Sequence, residues 1–335
     1  MDRNDVTWRG YWSAAVTPFT STGAVDEQAL RDVVTQSVGQ GVHGICVNGS
    51  TGEWFSQTLS ERRRVAEVVA EAVGGQTPTV VGVTATRVSD AVDLAKHAAQ
   101  IGADSVIAAP PPLARPTYRE LESYYSEIFD ATDLPAWLYN FPQDNGHAIS
   151  VDELVRLSAI PTVVAVKQSA PGIEELIATI EAVGSTLRVF GNMLSRLGAA
   201  LIRSGFGGDG HFGSGMLLGA QMPAFFEATW KGDVAGAEEI AARYARLMDR
   251  IAGARPDGYN WAFGGMQSTL KAAMNVLGES GAIPASPSCR STTPRTSPRS
   301  ARSCARPGCC APPRRPATRP VEQPLRQRRR RPPPD

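Results

Sequence analysis

Eight times in succession the chain passes from a short run rich in Val, Ile and Ala into a longer segment with helical spacing, and this alternation most narrows the folds open to it. The apolar runs fall at 14–16, 44–47, 79–83, 105–109, 136–139, 163–166, 188–190 and 210–212. Segments with helical patterning follow them at 26–39, 60–73, 88–101, 117–131, 151–158, 173–183, 194–203 and 220–230. Near-continuous apolar runs suit strands buried on both faces, the condition of a parallel sheet covered by helices. Ser60, Ser89 and Ser150, each followed by acidic residues, read as helix N-caps. Eight units over about 230 residues match a (β/α)8 TIM barrel, typically ~250 residues, better than an open doubly wound sheet. Two more helical patterns, 233–251 and 261–276, follow the last unit, so C-terminal helices are expected beyond the barrel.

The net charge of +1 conceals two opposite parts. Thirteen Arg in 285–335, against Glu322 and Asp335, give that segment +11, so residues 1–284 carry −10. An acidic body suits a metabolic enzyme and argues against a nucleic-acid surface. Cys46 is the only cysteine of the body; Cys289, Cys304, Cys309 and Cys310 lie in the basic segment. One thiol makes neither a disulfide framework nor a thiolate metal site, which fits a reducing compartment. Residues 1–10 lack the apolar stretch of a signal peptide, and no run approaches the roughly 20 apolar residues of a membrane helix. The expectation is a cytoplasmic protein without membrane or nucleic-acid partners.

Residues 284–335 differ in kind, with no aromatic residue and no period. Such a composition buries too little apolar surface to offset the entropy of ordering. The segment reads either as a disordered Arg/Pro-rich tail or as sequence out of frame with the rest of its gene. The abrupt change after Pro284, and an Arg, Pro, Ala, Ser and Cys content typical of shifted GC-rich codons, favour the second. Two regions are expected, 1–283 and 284–335, and the latter is assigned no function.

The body has four lysines, Lys96, Lys167, Lys231 and Lys271. Three lie in helical patterns beside polar residues, where a solvated face accounts for them. Lys167 instead ends the run Val163-Val-Ala-Val-Lys-Gln, on the face that a period of two gives to Val163 and Ala165. Desolvation lowers a lysine's pKa and frees the amine that attacks a carbonyl, and the C-terminal end of a barrel strand is where catalytic groups stand. A lysine that simply reaches water from a strand end is the plain alternative. Directly after the second run comes Asn48-Gly-Ser-Thr-Gly-Glu53. Its glycines allow a tight turn whose amides and hydroxyls can cradle a small anion such as a carboxylate, although an ordinary βα turn has the same spelling. The fifth run ends in Leu138-Tyr-Asn-Phe-Pro142, where the Tyr139 phenol could carry protons for a neighbouring Schiff base or merely pack.

Other features carry less. Gly208-Asp-Gly-His-Phe-Gly213 has the glycine spacing of a dinucleotide loop but lies across the eighth strand pattern. His43, His97, His147 and His211 are scattered without acidic or Cys partners at ligand spacing, so no metal is expected. His211 reads equally as a pocket residue or a packed strand residue.

Taken together, Gly49-Ser-Thr-Gly-Glu53, Tyr139-Asn-Phe-Pro142 and Val164-Ala-Val-Lys-Gln168, in that order and spacing, resemble the dihydrodipicolinate synthase/N-acetylneuraminate lyase family. Ala15-Val-Thr-Pro-Phe19 resembles its first strand, and the similarity covers about residues 10–283. The resemblance implies a class I aldolase barrel without cofactor, a homotetramer or homodimer acting on a 2-oxo acid such as pyruvate. It implies that Lys167 forms the Schiff base and Tyr139 shuttles protons. Gly49, Ser50 and Thr51 would then receive the 2-oxo carboxylate, with Ser50 and Thr51 in the proton relay. A barrel that only bound a 2-oxo acid could dispense with Lys167 or Tyr139, and both are present.

The pattern departs from the synthases in two places. Asp144 stands where they have an arginine for the second carboxylate, and Leu113 stands where they have a tyrosine lent to the neighbouring subunit. Both departures point away from 4-hydroxy-tetrahydrodipicolinate synthesis, the alternative activity. They point toward an aldolase or dehydratase of a hydroxylated 2-oxo acid, such as a 2-keto-3-deoxy sugar acid. Beyond C3 such a substrate would meet Asp144, Asn192 and Ser214.

Overall fold

A computed structural model of the chain describes residues 1–252 and 265–281. The chain divides into Met1–Thr293 and Pro294–Asp335. All of the second unit, the expected boundary at 283/284 and the character of the tail lie outside the described residues. Eight parallel strands close into a barrel in sequence order: β1 (Gly10–Ala14), β2 (Gly44–Val47), β3 (Thr79–Gly82), β4 (Ser105–Ala108), β5 (Ala136–Asn140), β6 (Val163–Gln168), β7 (Arg188–Phe190) and β8 (Gly210–Ser214). The ring closes where β1 pairs with β8, Tyr11 opposite His211. This is the TIM barrel that the alternation predicts.

The helices outside it are α1 (Glu27–Gly39), α2 (Leu59–Val73), α3 (Val88–Gln100), α4 (Tyr118–Phe129), the one-turn α5 (Pro142–Asn145), α6 (Val151–Leu157), α7 (Ile173–Val183), α8 (Arg196–Ser204), α9 (Gln221–Lys231), α10 (Val234–Ala252) and α11 (Met266–Val276). Residues 261–264 of the last predicted pattern lie outside the described residues. Three reciprocal capping boxes start helices: Thr58 with Glu61 on α2, Thr117 with Glu120 on α4 and Ser150 with Glu153 on α6. Each satisfies two otherwise orphaned amide groups, and loss of such a cap costs typically ~1 kcal/mol. The expected caps at Ser60 and Ser89 are displaced. Glu61 lies three residues beyond Thr58, which fixes the start of α2 there, and Arg87 occupies the cap position of α3 without a side-chain bond.

Two layers of apolar side chains hold the unit together. One lies between strands and helices, with Val34, Val65, Leu94, Leu121 and Phe225 among its buried members. The other fills the barrel. Trp8 stacks on Trp137 with ring centroids 5.0 Å apart, and Trp12, Phe190 and Phe212 meet Trp137 at 5.1, 4.9 and 5.2 Å. Such offset and edge contacts add ~0.5–1.5 kcal/mol each beyond the area they bury. They make the barrel a packed plug whose upper end is Phe212, beneath Lys167.

Three expectations change. The first strand is Gly10–Ala14 and not 14–16; Ala15–Phe19, likened to a first strand, follows it as the loop toward α1. Lys167 does not share a face with Val163. Ala136 pairs with Val163 but Trp137 with Ala165, so an irregularity at Val164 breaks the period and turns both Val164 and Ala165 into the barrel interior. Lys271, assigned to a solvated helix face, is wholly buried.

Candidate active site

β5 and β6 pair so that Tyr139 lies opposite Lys167, both at the C-terminal mouth. The Lys167 ammonium sits 4.1 Å from the centroid of the Tyr139 ring and 4.9 Å from that of Phe212. Two aromatic faces on a partly buried amine hold it in a fixed direction and strip away water on those sides. Tyr139 is buried and stacks on Phe141 at 5.5 Å. Asn140, the next residue, points away. Its amide donates to Ile149 O and its carbonyl accepts from Ile149 N, which ties down the loop carrying α5.

The turn after β2 sits across the mouth from this pair. Residues Ser50–Gly52 form a single 3-10 turn, followed by a second at Trp54–Ser56. The left-handed residues that make the bend are not its glycines but Asn48 and Glu53, both at φ 56. Asn48 is held by its amide, which donates to Arg62 O at 2.8 Å. Gly82 of β3 is required because a Cβ there would lie 2.2 Å from Asn48 O. Arg62 is buried under both loops, donating to Thr84 O and Gly82 O, and burial lowers its pKa to about 10.

A narrow pocket joins these parts; Gly49, Ser50, Tyr139 and Lys167 line it with Cys46, Asn48, Trp54, Thr84, Ile107 and Asn145. Thr51 reaches Ser214, at the end of β8, with Oγ atoms 3.4 Å apart. Burial pushes the Cys46 thiol up to about 11, with the Lys167 charge pulling the other way, so at neutral pH it is a neutral wall. A larger hollow, lined by Glu67, Glu71, Thr79 and Asp104, opens at the opposite end of the strands, where a barrel gains stability rather than chemistry.

The structure brings Gly49, Ser50, Tyr139 and Lys167 into one pocket and places Thr51 and Ser214 in contact with each other. Asp144 and Asn192 are exposed and do not line it. Partial burial nevertheless raises the pKa of Asp144. Asn145, its neighbour on α5, faces the pocket instead, with its amide nitrogen buried and unpaired. Only a one-residue change of phase on the short α5 separates the two, and no sequence period is long enough to reveal it. His211 points outward, its ring bonded to Gly191 O at 3.0 Å and to the Tyr244 hydroxyl at 3.3 Å; burial lowers its pKa to about 4. The glycine motif is a packing device, since a Cβ on Gly213 would strike Tyr11. Among the described residues no three His, Cys, Asp or Glu gather as metal ligands, and no helix is long and apolar enough to cross a membrane.

Comparison with known proteins adds to this geometry. The Dihydrodipicolinate synthetase family matches residues 7–290. A 4-hydroxy-tetrahydrodipicolinate synthase of Phenylobacterium zucineum is 38% identical over 165 residues, covering 49% of this chain and 56% of that protein. The chain thus spans little more than half the length of that relative. An N-acetylneuraminate lyase of Enterobacter sp. is 31% identical over 245 residues, 72% of this chain and 81% of the lyase. Among solved structures, the E. coli K12 prophage protein YagE, in complex with pyruvate, superposes with a TM-score of 0.77 at 22% identity. The superposition covers 87% of this chain and 95% of YagE, and it shows likeness of fold.

Proposed function

The chain belongs to the dihydrodipicolinate synthetase family, and from that membership we propose that it is a class I lyase holding a 2-oxo acid as a Schiff base on Lys167. The observation that carries the reading is the amine of Lys167, fixed between the rings of Tyr139 and Phe212 at the closed end of a pocket. The neutral amine adds to C2 of the 2-oxo acid, and loss of water gives the iminium. The substrate carboxylate rests on the turn at Gly49, Ser50 and Thr51, whose amides and hydroxyls suit an anion. Tyr139 removes the proton from the C4 hydroxyl; the C3–C4 bond breaks, and its electron pair passes to C3 as the enamine. Protonation at C3 and hydrolysis then release pyruvate and free the amine. Ser50 and Thr51 complete the proton relay, the Thr51 hydroxyl lying 3.4 Å from that of Ser214. No step calls on a metal or cofactor.

For the remainder of the substrate the reading is a hydroxylated chain, as in a 2-keto-3-deoxy sugar acid. Apart from Lys167 the pocket presents neutral groups, the hydroxyls of Ser50 and Thr84 and the unpaired amide nitrogen of Asn145, and no guanidinium lines it among the described residues. A second carboxylate would be buried there without a partner, which is costly, whereas a hydroxyl can use those groups. Asp144 adds to this only from the exposed side of α5. The likeness to the Phenylobacterium synthase favours a second reading, condensation of pyruvate with aspartate semialdehyde. The assembly is proposed to be a cytoplasmic homotetramer or homodimer. Leu113, 96% exposed at φ 65, and Phe55, 55% exposed, are apolar side chains that a second copy would cover.

Borohydride reduction with pyruvate tests the mechanism. A reduced adduct is expected on Lys167 by peptide mapping, and an adduct elsewhere, or none with any 2-oxo acid, refutes it. A screen of 2-oxo acids, read by pyruvate release and water loss, tests the substrate. Preferred turnover of 4-hydroxy-2-oxoglutarate, or efficient condensation with aspartate semialdehyde, would overturn the sugar-acid reading and leave the Schiff base standing.

A further inference from the structure

α11 follows the barrel by some fifty residues in sequence, yet it is anchored directly beneath the turn after β2. The Lys271 ammonium donates to Glu53 Oε1 and to Thr17 O, each at 2.5 Å, and lies 4.7 Å from the centre of the Phe19 ring. Both charged side chains are fully buried. One turn earlier on the same helix, the Gln267 amide donates to Ser50 O at 3.2 Å. One helix therefore grips the loop after β1 at Thr17 and both ends of the turn after β2, at Ser50 and Glu53.

A buried ion pair is a poor source of stability, because desolvating both charges can offset the attraction between them. Its placement gives it another use. Glu53 ends the first 3-10 turn and begins the second, in a left-handed conformation that strains a non-glycine residue. Strain of that kind persists where surrounding contacts over-determine it, and Lys271 supplies one such contact. If Glu53 relaxed toward water, the amides and hydroxyls of Ser50 and Thr51 would turn with it.

We propose that the Glu53–Lys271 pair is a positioning device through which α11 holds the turn at Ser50 and Thr51 in the shape that receives the substrate carboxylate. The inference rests on the Schiff-base reading above, because the carboxylate is fixed only relative to an amine at Lys167. It makes a distinction that a purely structural role would not make. Loosening the turn weakens ligands that have a carboxylate and spares carbonyl compounds that lack one.

The test uses the full chain and borohydride trapping on Lys167 with two probes, pyruvate and acetone. In Lys271→Met and Glu53→Gln the pyruvate concentration for half-maximal trapping is expected to rise by about ten- to a hundredfold, the usual loss when a group that orients a ligand-binding residue is removed. The acetone value should move by less than about threefold, since acetone never uses the turn. Gln267→Ala, at a partly exposed position, should give a smaller shift of the same kind and decides the matter if the buried variants do not fold. Equal losses for both probes, or an unchanged preference for pyruvate in a folded variant, would overturn the inference alone. Absence of any adduct in the unaltered chain would overturn the Schiff-base reading, and this inference with it.

Discussion

Two lysines of this chain stand against aromatic rings away from bulk water: Lys167, partly buried at the barrel mouth, and Lys271, wholly buried on Glu53. Lys167 stood out because a charged residue ended an apolar run, and it does stand in the barrel mouth against Tyr139. Lys271 reads as ordinary in the sequence because its neighbours in a helical pattern include Gln267 and Ser268, yet it is among the most buried side chains of the described residues. Nothing local to 261–276 signals this, since its partner, Glu53, is 218 residues away. Asn145 was illegible for a related reason, as a helix of one turn has no pattern to give its phase. For the proposed relay, Tyr139→Phe should keep most of the pyruvate trapping on Lys167. Turnover should fall by roughly 10²–10⁴-fold, the value of a positioned acid–base group. Single-turnover kinetics that showed an unchanged rate would remove the phenol from the reaction. The ring should remain, because its stacking on Phe141 needs no hydroxyl.

At the scale of elements, alternation gives the number and order of the strands and, apart from the short α5, of the helices between them, and capping chemistry gives one helix start, Ser150 of α6. The errors lie where tertiary pairing overrides local pattern. β1 begins four residues earlier than its apolar run because Gly10–Ala14, including Ser13, pairs along all of β8. In β6 the irregularity at Val164 cannot be seen without its partner β5. The contact between β8 and α10 carries a pH dependence of its own. His211 has a folded pKa lowered by burial from 6.5 to about 4, so the folded protein keeps it neutral where the unfolded chain protonates it. Its contribution is fully present above pH 6.5 and is lost as the pH falls toward 4, by roughly 3 kcal/mol at most. Denaturant midpoints of the parent and of His211→Gln should therefore converge as the pH is lowered through that window. Curves that stay parallel would mean the imidazole is not held neutral.

The whole unit includes α10 and α11, which the barrel pattern alone leaves as appendages. Leu270 and Met274 of α11 pack with Val16, Val33, Leu217 and Ile251, so the C-terminal helix closes an apolar cluster under the first loops. A chain ending at Ala252 would lose that cluster and the Lys271 partner of Glu53. Losing buried side chains such as Leu270 and Met274 costs about 2–5 kcal/mol each, much of the 5–15 kcal/mol that a folded domain has. Such a truncation should melt far below the full chain or fail to remain soluble. A thermal melt equal to that of the full chain would show that the barrel does not depend on the helix.

The aromatic plug beneath Lys167 also sets the traffic through the molecule. With Trp8, Trp12, Trp137, Phe190 and Phe212 filling the barrel below the amine, the site is closed from beneath among the described residues. Whatever binds deepest must enter first and depart last. In the proposed reaction the fragment joined to Lys167 would wait behind the one cleaved from it, so the order in which molecules come and go would follow from the architecture of the floor, before any chemistry distinguishes them.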